Sequence, residues 1–169
     1  MKKLILCLLL VSSAISASPL QQLTKLGEGE MSYLFWNVYR AELYVKELPY
    51  QQGDYPKLLK IKYFRDIEKE DLLNATKEQW QHIGISETAI AGWLVQLQTI
   101  WPDINEGDQL IIYVNKAGQS IFYSDISDVS TQELGVIKDE EFGPAFLDIW
   151  LSEKTSEPEL RVKLLGGVK

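Results

Sequence analysis

The chain has 169 residues, 46% hydrophobic and 24% charged, with a formal net charge of −7. This is the composition of one ordinary globular domain, not of a disordered or fibrous chain. The acidic balance argues against nucleic acid as a partner, because phosphate binding needs concentrated Lys and Arg, and against electrostatic adhesion to anionic lipid headgroups.

Residues 1–17 have the plan of a secretory signal peptide: Lys2 and Lys3, the apolar run LILCLLLV, then small residues in SSAISAS. Cleavage is expected after Ala17, with Ser16 as an alternative, leaving a domain of residues 18–169 in the periplasm or outside the cell. The apolar run is too short for stable membrane insertion. Cys7 lies inside that run and not at its end, which disfavours attachment of a lipid there. Cys7 is the only cysteine, so the mature domain has neither disulfide nor thiolate chemistry. Its 15 basic and 24 acidic residues serve solubility. A domain of about 150 residues buries roughly 68–70% of its unfolded surface, which can suffice without disulfides.

Residues 22–34 read as an extended segment with a glycine-containing bend. The stretch FWNVYRAELYV (35–45) alternates, with Phe35, Asn37, Tyr39, Ala41, Leu43 and Val45 on one face and Trp36, Val38, Arg40, Glu42 and Tyr44 on the other. A turn-rich connection (48–56) leads to a second alternating strand, KLLKIKYF (57–64). The period then changes. Asp66 is placed to cap a helix whose apolar stripe is Leu72, Leu73, Thr76, Trp80 and Ile83, ending at Gly84. Ser86 caps the next helix, in which Ile90, Trp93, Leu94, Leu97, Ile100 and Trp101 recur at three and four residues, and Pro102 stops it. Residues 107–125 read as strand, turn, strand. A short apolar piece (134–137) precedes a third helix capped by Asp139 or Gly143, with Pro144 in its first turn, and 156–166 forms a short last helix. The plan is α+β: an antiparallel sheet covered by helices on one face, without repeats or an internal linker.

Three segments, in this order, resemble the chalcone isomerase-like family of exported bacterial proteins: GEGEMSYLFWNVYRAELYV, LKIKYFRDIEKEDLLNATKEQW and FGPAFLDIWLSEKTSEPELRVKLLG. With the hairpin GDQLIIYVNKAGQSIFY the resemblance covers nearly all of residues 20–166. It implies an open-faced antiparallel β-sandwich with a helical layer and a pocket between the two. Plant members of the family cyclise a chalcone there; others bind fatty acids. The isomerases use an early-strand Arg to steady an anion, a Thr preceding a Tyr on the next strand, and a further Tyr near a helix start. Here the first region holds Glu28 and Glu30, Tyr39 falls on the Thr, and FRDIEKEDLL contains no Tyr. Reversed charge at the first position would repel the anion the reaction must stabilise. The family's catalytic groups are therefore not reproduced.

The candidate ligand-binding residues are Asn37, Tyr39, Arg40 and Arg65. Asn37 and Tyr39 are polar groups in an otherwise apolar wall, the pattern of a small-molecule pocket. A core tyrosine with a satisfied hydroxyl has the same pattern. Arg40 either anchors a ligand carboxylate or pairs with Glu42 on the surface. Arg65, beside Asp66, either faces a ligand or braces the strand-to-helix corner. With one histidine, His82, and no GxSxG elbow, neither a zinc site nor a hydrolase triad is expected, and the DEE cluster (139–141) reads as a helix cap. The tryptophans and phenylalanines at helical spacing pack a core or line a hollow. No cofactor, metal or catalytic residue is expected. The reading is a non-catalytic exported protein holding a small apolar or aromatic ligand, such as a fatty acid. The alternatives are an intramolecular lyase or isomerase with a rearranged site, and a partner-binding or structural protein without a pocket.

Overall fold

The computed structural model describes residues 19–126 and 131–167. The expected signal peptide and Cys7 lie outside them. After a 3-10 turn (Pro19–Gln22) come β1 (Thr24–Tyr33), β2 (Trp36–Val45), β3 (Lys57–Tyr63), α1 (Lys69–Ile83), α2 (Glu87–Ile100), β4 (Gln109–Val114), β5 (Ser120–Ile126), β6 (Thr131–Ile137), α3 (Phe142–Leu151) and α4 (Pro158–Leu164). The six strands form one antiparallel sheet in sequence order, β1-β2-β3-β4-β5-β6. This is the open sheet with helices on one face that the α+β reading expects.

Alternation sorts each strand. Ala41, Leu43, Val45, Leu59, Ile61, Tyr63, Leu110, Ile112, Val114, Phe122 and Ile137 face the helices and belong to the main core. At its centre Trp80 is fully buried and packs on Trp93, Phe142 and Phe146, with ring centroids 5.2–6.2 Å apart. Its indole N–H donates to the Ala145 carbonyl at 3.0 Å. Each such pair adds about 0.5–1.5 kcal/mol to what area burial gives. The outer face is also apolar in part: Leu58, Ile111, Tyr123 and Ile126 form a second cluster, against which Leu20 and Leu23 pack.

The β2–β3 connection is tied down by Lys57. This buried ammonium lies 4.4 Å from the Tyr55 ring centroid and 5.2 Å from that of Tyr50, and donates to the Gln52 carbonyl. Burial pulls its pKa down.

Several boundaries differ from the sequence reading. Asp66 does not cap α1. Ile67 bridges Ile104, which keeps the chain extended past Asp66, and the helix begins only at Lys69. The Lys69 N–H is then satisfied by Asp103, and Asp66 instead accepts from the Glu106 N–H at 2.7 Å. Neither Asp139 nor Gly143 is the N-cap of α3, which is Glu141. Asp139 accepts from the Glu141 N–H and from the Trp93 indole N–H. Phe35 is not on the core face; it lies in the β1–β2 turn, 97% exposed. The 134–137 piece is the end of β6. Gly84, with φ 90°, and Ser86, accepting from the Ala89 N–H, behave as expected.

The last helix, α4, lies directly on β1, where Gly27 and Gly29 present bare backbone. A Cβ at Gly27 would stand 2.1 Å from the Lys163 carbonyl oxygen and 2.5 Å from that of Leu164. Both obstacles are backbone and cannot rotate aside. Gly27→Ala is therefore expected to destabilise the protein by about 1–3 kcal/mol or more, read as a lower urea midpoint with an unchanged slope.

Candidate functional site

A hollow of about 300 Å³ lies between the helix-facing side of β1–β4 and helices α1 and α3. Its sheet wall is Met31, Val38, Tyr39, Ile61, Tyr63 and Leu110, and its helical wall includes Leu72, Thr76, Phe146, Ile149 and Trp150, with Trp101 from the end of α2. An engineered apolar cavity of about 150 Å³ admits benzene, so this one has roughly twice that room. It lies at the low end of the size range of small-molecule sites, about 300–1,000 Å³.

The polar groups in this wall are few, and most are engaged. The Tyr39 hydroxyl accepts from the Trp150 indole N–H at 2.8 Å, which joins β2 to α3 across the cavity. The Tyr39 and Tyr63 rings meet edge to face at 5.9 Å. The Thr76 hydroxyl donates to the Leu72 carbonyl within α1. Gln79 accepts from the Ser156 hydroxyl, linking α1 to the segment before α4. The Trp101 indole N–H is buried and, among the described residues, has no hydrogen-bond partner. The ionisable lining residues are the carboxylates Asp71 and Glu157 and the two phenols; among the described residues no Lys or Arg lines the cavity. Burial pushes the Tyr39 phenol up to about 12, a shift that its bond from Trp150 opposes and nearby Glu157 reinforces. Tyr63 is raised further, again by burial first and by Tyr39 second.

Of the four residues singled out in the sequence, the structure places Tyr39 in the cavity wall. Asn37 is exposed near the end of the hairpin, where its amide donates to Glu30 at 3.3 Å and its oxygen accepts from Ser32 at 2.7 Å. Arg40 pairs with Glu30 on β1 at 2.6 Å rather than with Glu42. That bond lies on the outer face of the sheet. Arg65 is exposed, and the corner beside it is braced by Asp66. Glu28 and Glu30, expected to set the charge of the pocket, point to the outer face, where they pair with Lys25 and Arg40. The negative charge in the cavity wall comes from Asp71 and Glu157. Among the described residues no group of three or more His, Cys, Asp or Glu could hold a metal ion. No helix there is long and apolar enough to cross a membrane.

The model of the family described as chalcone isomerase-like matches residues 15–166. The chain belongs to the chalcone isomerase-like family. An uncharacterized protein of Haemophilus influenzae is 24% identical over 154 residues, which cover 91% of this chain and 73% of that protein. The crystal structure of a fatty-acid binding protein from Arabidopsis thaliana superposes with a TM-score of 0.65 at 13% identity, over 90% of this chain and 91% of the other. At that identity the likeness extends to the fold.

Two outcomes follow from the Tyr39–Trp150 bond and the raised phenols. Tyr39→Phe leaves the Trp150 indole N–H buried without a partner and is expected to cost about 1–3 kcal/mol of stability. Phenols whose pKa is higher folded than unfolded contribute stability that is complete below their unfolded value, near 10, and lost as pH rises through the folded value. For Tyr39 and Tyr50 that window runs from 10 to about 12. The melting temperature, followed by circular dichroism, should fall steeply within it, and less steeply in Tyr39→Phe.

Proposed function

We propose that the protein is an exported, non-catalytic binding protein that holds one small apolar ligand between the sheet and helices α1 and α3. The observation that carries this reading is the cavity of about 300 Å³, walled by aliphatic and aromatic side chains with Tyr39 and Trp150 tied across it. Family membership and the printed name of the Arabidopsis neighbour support an acyl chain as the ligand. The signal-peptide pattern of residues 1–17 supports a periplasmic or secreted location.

The charge of the wall refines the ligand class. A carboxylate inside would meet no cation and would lie near Asp71 and Glu157. Desolvating an unpaired anion is costly. The tail therefore occupies the cavity, and the head is either neutral or left at the mouth in water. A lyase working through a phenolate or enolate would find no guanidinium in this wall to stabilise the charge. That favours binding over the rearranged-enzyme reading.

The test is native mass spectrometry of the protein isolated from its source, followed by titration with a fluorescent acyl probe. Saturable one-to-one binding is expected, weakened about ten-fold or more by Ile61→Phe, which fills the wall while keeping the melting temperature. A neutral ester or alcohol should displace the probe better than the acid of equal chain length at pH 7. A clean unliganded mass together with no saturable probe binding overturns the proposal.

A further inference from the structure

The described surface carries several large exposed apolar residues, of which Leu48, Val95 and Val136 stand alone. Four do not. Tyr33, Leu34, Phe35 and Trp36 are consecutive at the tip of the β1–β2 hairpin, with exposures of 66%, 76%, 97% and 67%. Tyr33 pairs with Trp36, so Leu34 and Phe35 form the two-residue loop itself. Positions of this kind usually take Asn, Asp or Gly, because the loop demands a left-handed backbone. Here Leu34 adopts that conformation, with φ 56°. A branched apolar side chain at such a φ is strained, and Gly or Asn would relieve the strain. The tip thus departs from the solubility rule at both loop residues and from the backbone rule at Leu34.

Its position gives the departure a use. Met31 and Tyr39, partners in the hairpin register, both line the cavity. Leu34 follows Met31 by three residues, about 10 Å of strand. The tip is therefore an extension of the cavity's own wall. Behind it the Glu30–Arg40 pair and the bonded Ser32 and Asn37 form a polar collar.

We propose that this tip is a shallow docking loop for the surface of a zwitterionic lipid bilayer, through which the apolar ligand enters or leaves the cavity. The proposal rests in that last clause on the binding function given above. Tyr33 and Trp36 suit the headgroup level, where amphipathic rings accumulate, while Leu34 and Phe35 reach the acyl boundary between them. The polar collar and the unpaired loop backbone limit the depth to the interface. A convex tip is enclosed on all sides by a fluid medium. A protein partner would instead need about 800 Å² of shape-matched surface per side. The chain's net charge of −7 opposes attraction to anionic lipid, so the contact is driven by apolar transfer.

The test is co-flotation of the mature protein with phosphatidylcholine vesicles, comparing wild type with Leu34→Asn/Phe35→Ser, a pair that the loop backbone accepts. Wild type should float and the variant should partition about ten-fold less, with equal melting temperatures. Trp36 reports independently. The other four tryptophans, Trp80, Trp93, Trp101 and Trp150, are buried, so vesicles should blue-shift emission in wild type and not in the variant. The proposal is overturned if wild type stays in the soluble fraction, if the variant floats equally, or if binding appears only with anionic vesicles. It is also overturned if sedimentation shows the tip pairing two copies and vesicles have no effect. Binding of a soluble acyl probe without vesicles reads the cavity alone. Its loss with flotation intact overturns the binding function and leaves the docking loop standing.

Discussion

The arrangement of this protein depends on one aromatic cluster. Trp80 stands where α1, α2 and α3 meet, against Trp93, Phe142 and Phe146, and Phe122 brings the same contact down to the sheet. These rings fill the middle of the sandwich, and the hollow over β1–β4 lies to one side of them. Trp101, Phe146 and Trp150 belong both to the ring network and to the cavity wall. Each of these rings both packs in the core and lines the cavity. The cavity is thus held open by rigid planar groups in mutual contact rather than by flexible aliphatic chains.

Charge is divided between the two faces of the sheet. The cations of the first strands, Lys25, Arg40 and Lys60, pair on the outer face with Glu28, Glu30 and Glu42. Lys57 is held under two tyrosine rings beside the β2–β3 connection. The cavity receives none of them. In the binding role proposed above, a site furnished in this way would select by shape and against charge in its guest. That is the reverse of an isomerase pocket, where a fixed positive group must meet a developing anion.

Much of the fold was legible because alternation and helical period are strong signals. The split of β2 into Ala41, Leu43 and Val45 inside and Glu42 and Tyr44 outside can be read from the chain alone, and so can the stops at Gly84 and Pro102. The start of α1 was not legible, since the Ile67–Ile104 bridge that delays it is a long-range contact and Asp66 looks like any capping residue. Of the four candidate residues, Tyr39 lies in the cavity wall, as its strand parity suggested. Asn37 shares its parity but lies toward the end of the hairpin, and Arg40 lies on the outer face; strand period does not report where the helical layer ends. The Trp150–Tyr39 bond joins residues 111 apart, and no local pattern encodes it. Periodicity marked Trp101 and Trp150 as inward-facing, but inward-facing residues have the same spacing whether they meet atoms or a void.

The sheet order runs strictly with the sequence. Each inner strand therefore hydrogen-bonds to the strand before it and the strand after it in the chain. The β1–β2 and β4–β5 junctions are short turns, and the β2–β3 connection spans residues 46–56. Only β3 and β4 are separated by an insertion, the α1–α2 pair, so the closure of one long excursion stands between two locally assembled ribbons. Loop-closure entropy grows only slowly with length, and the two helices shorten the span as they form. A chain emerging from one end can thus settle β1–β3 first and add β4–β6 as a second ribbon. The hollow lies across the seam between them, with α3 on its helical wall.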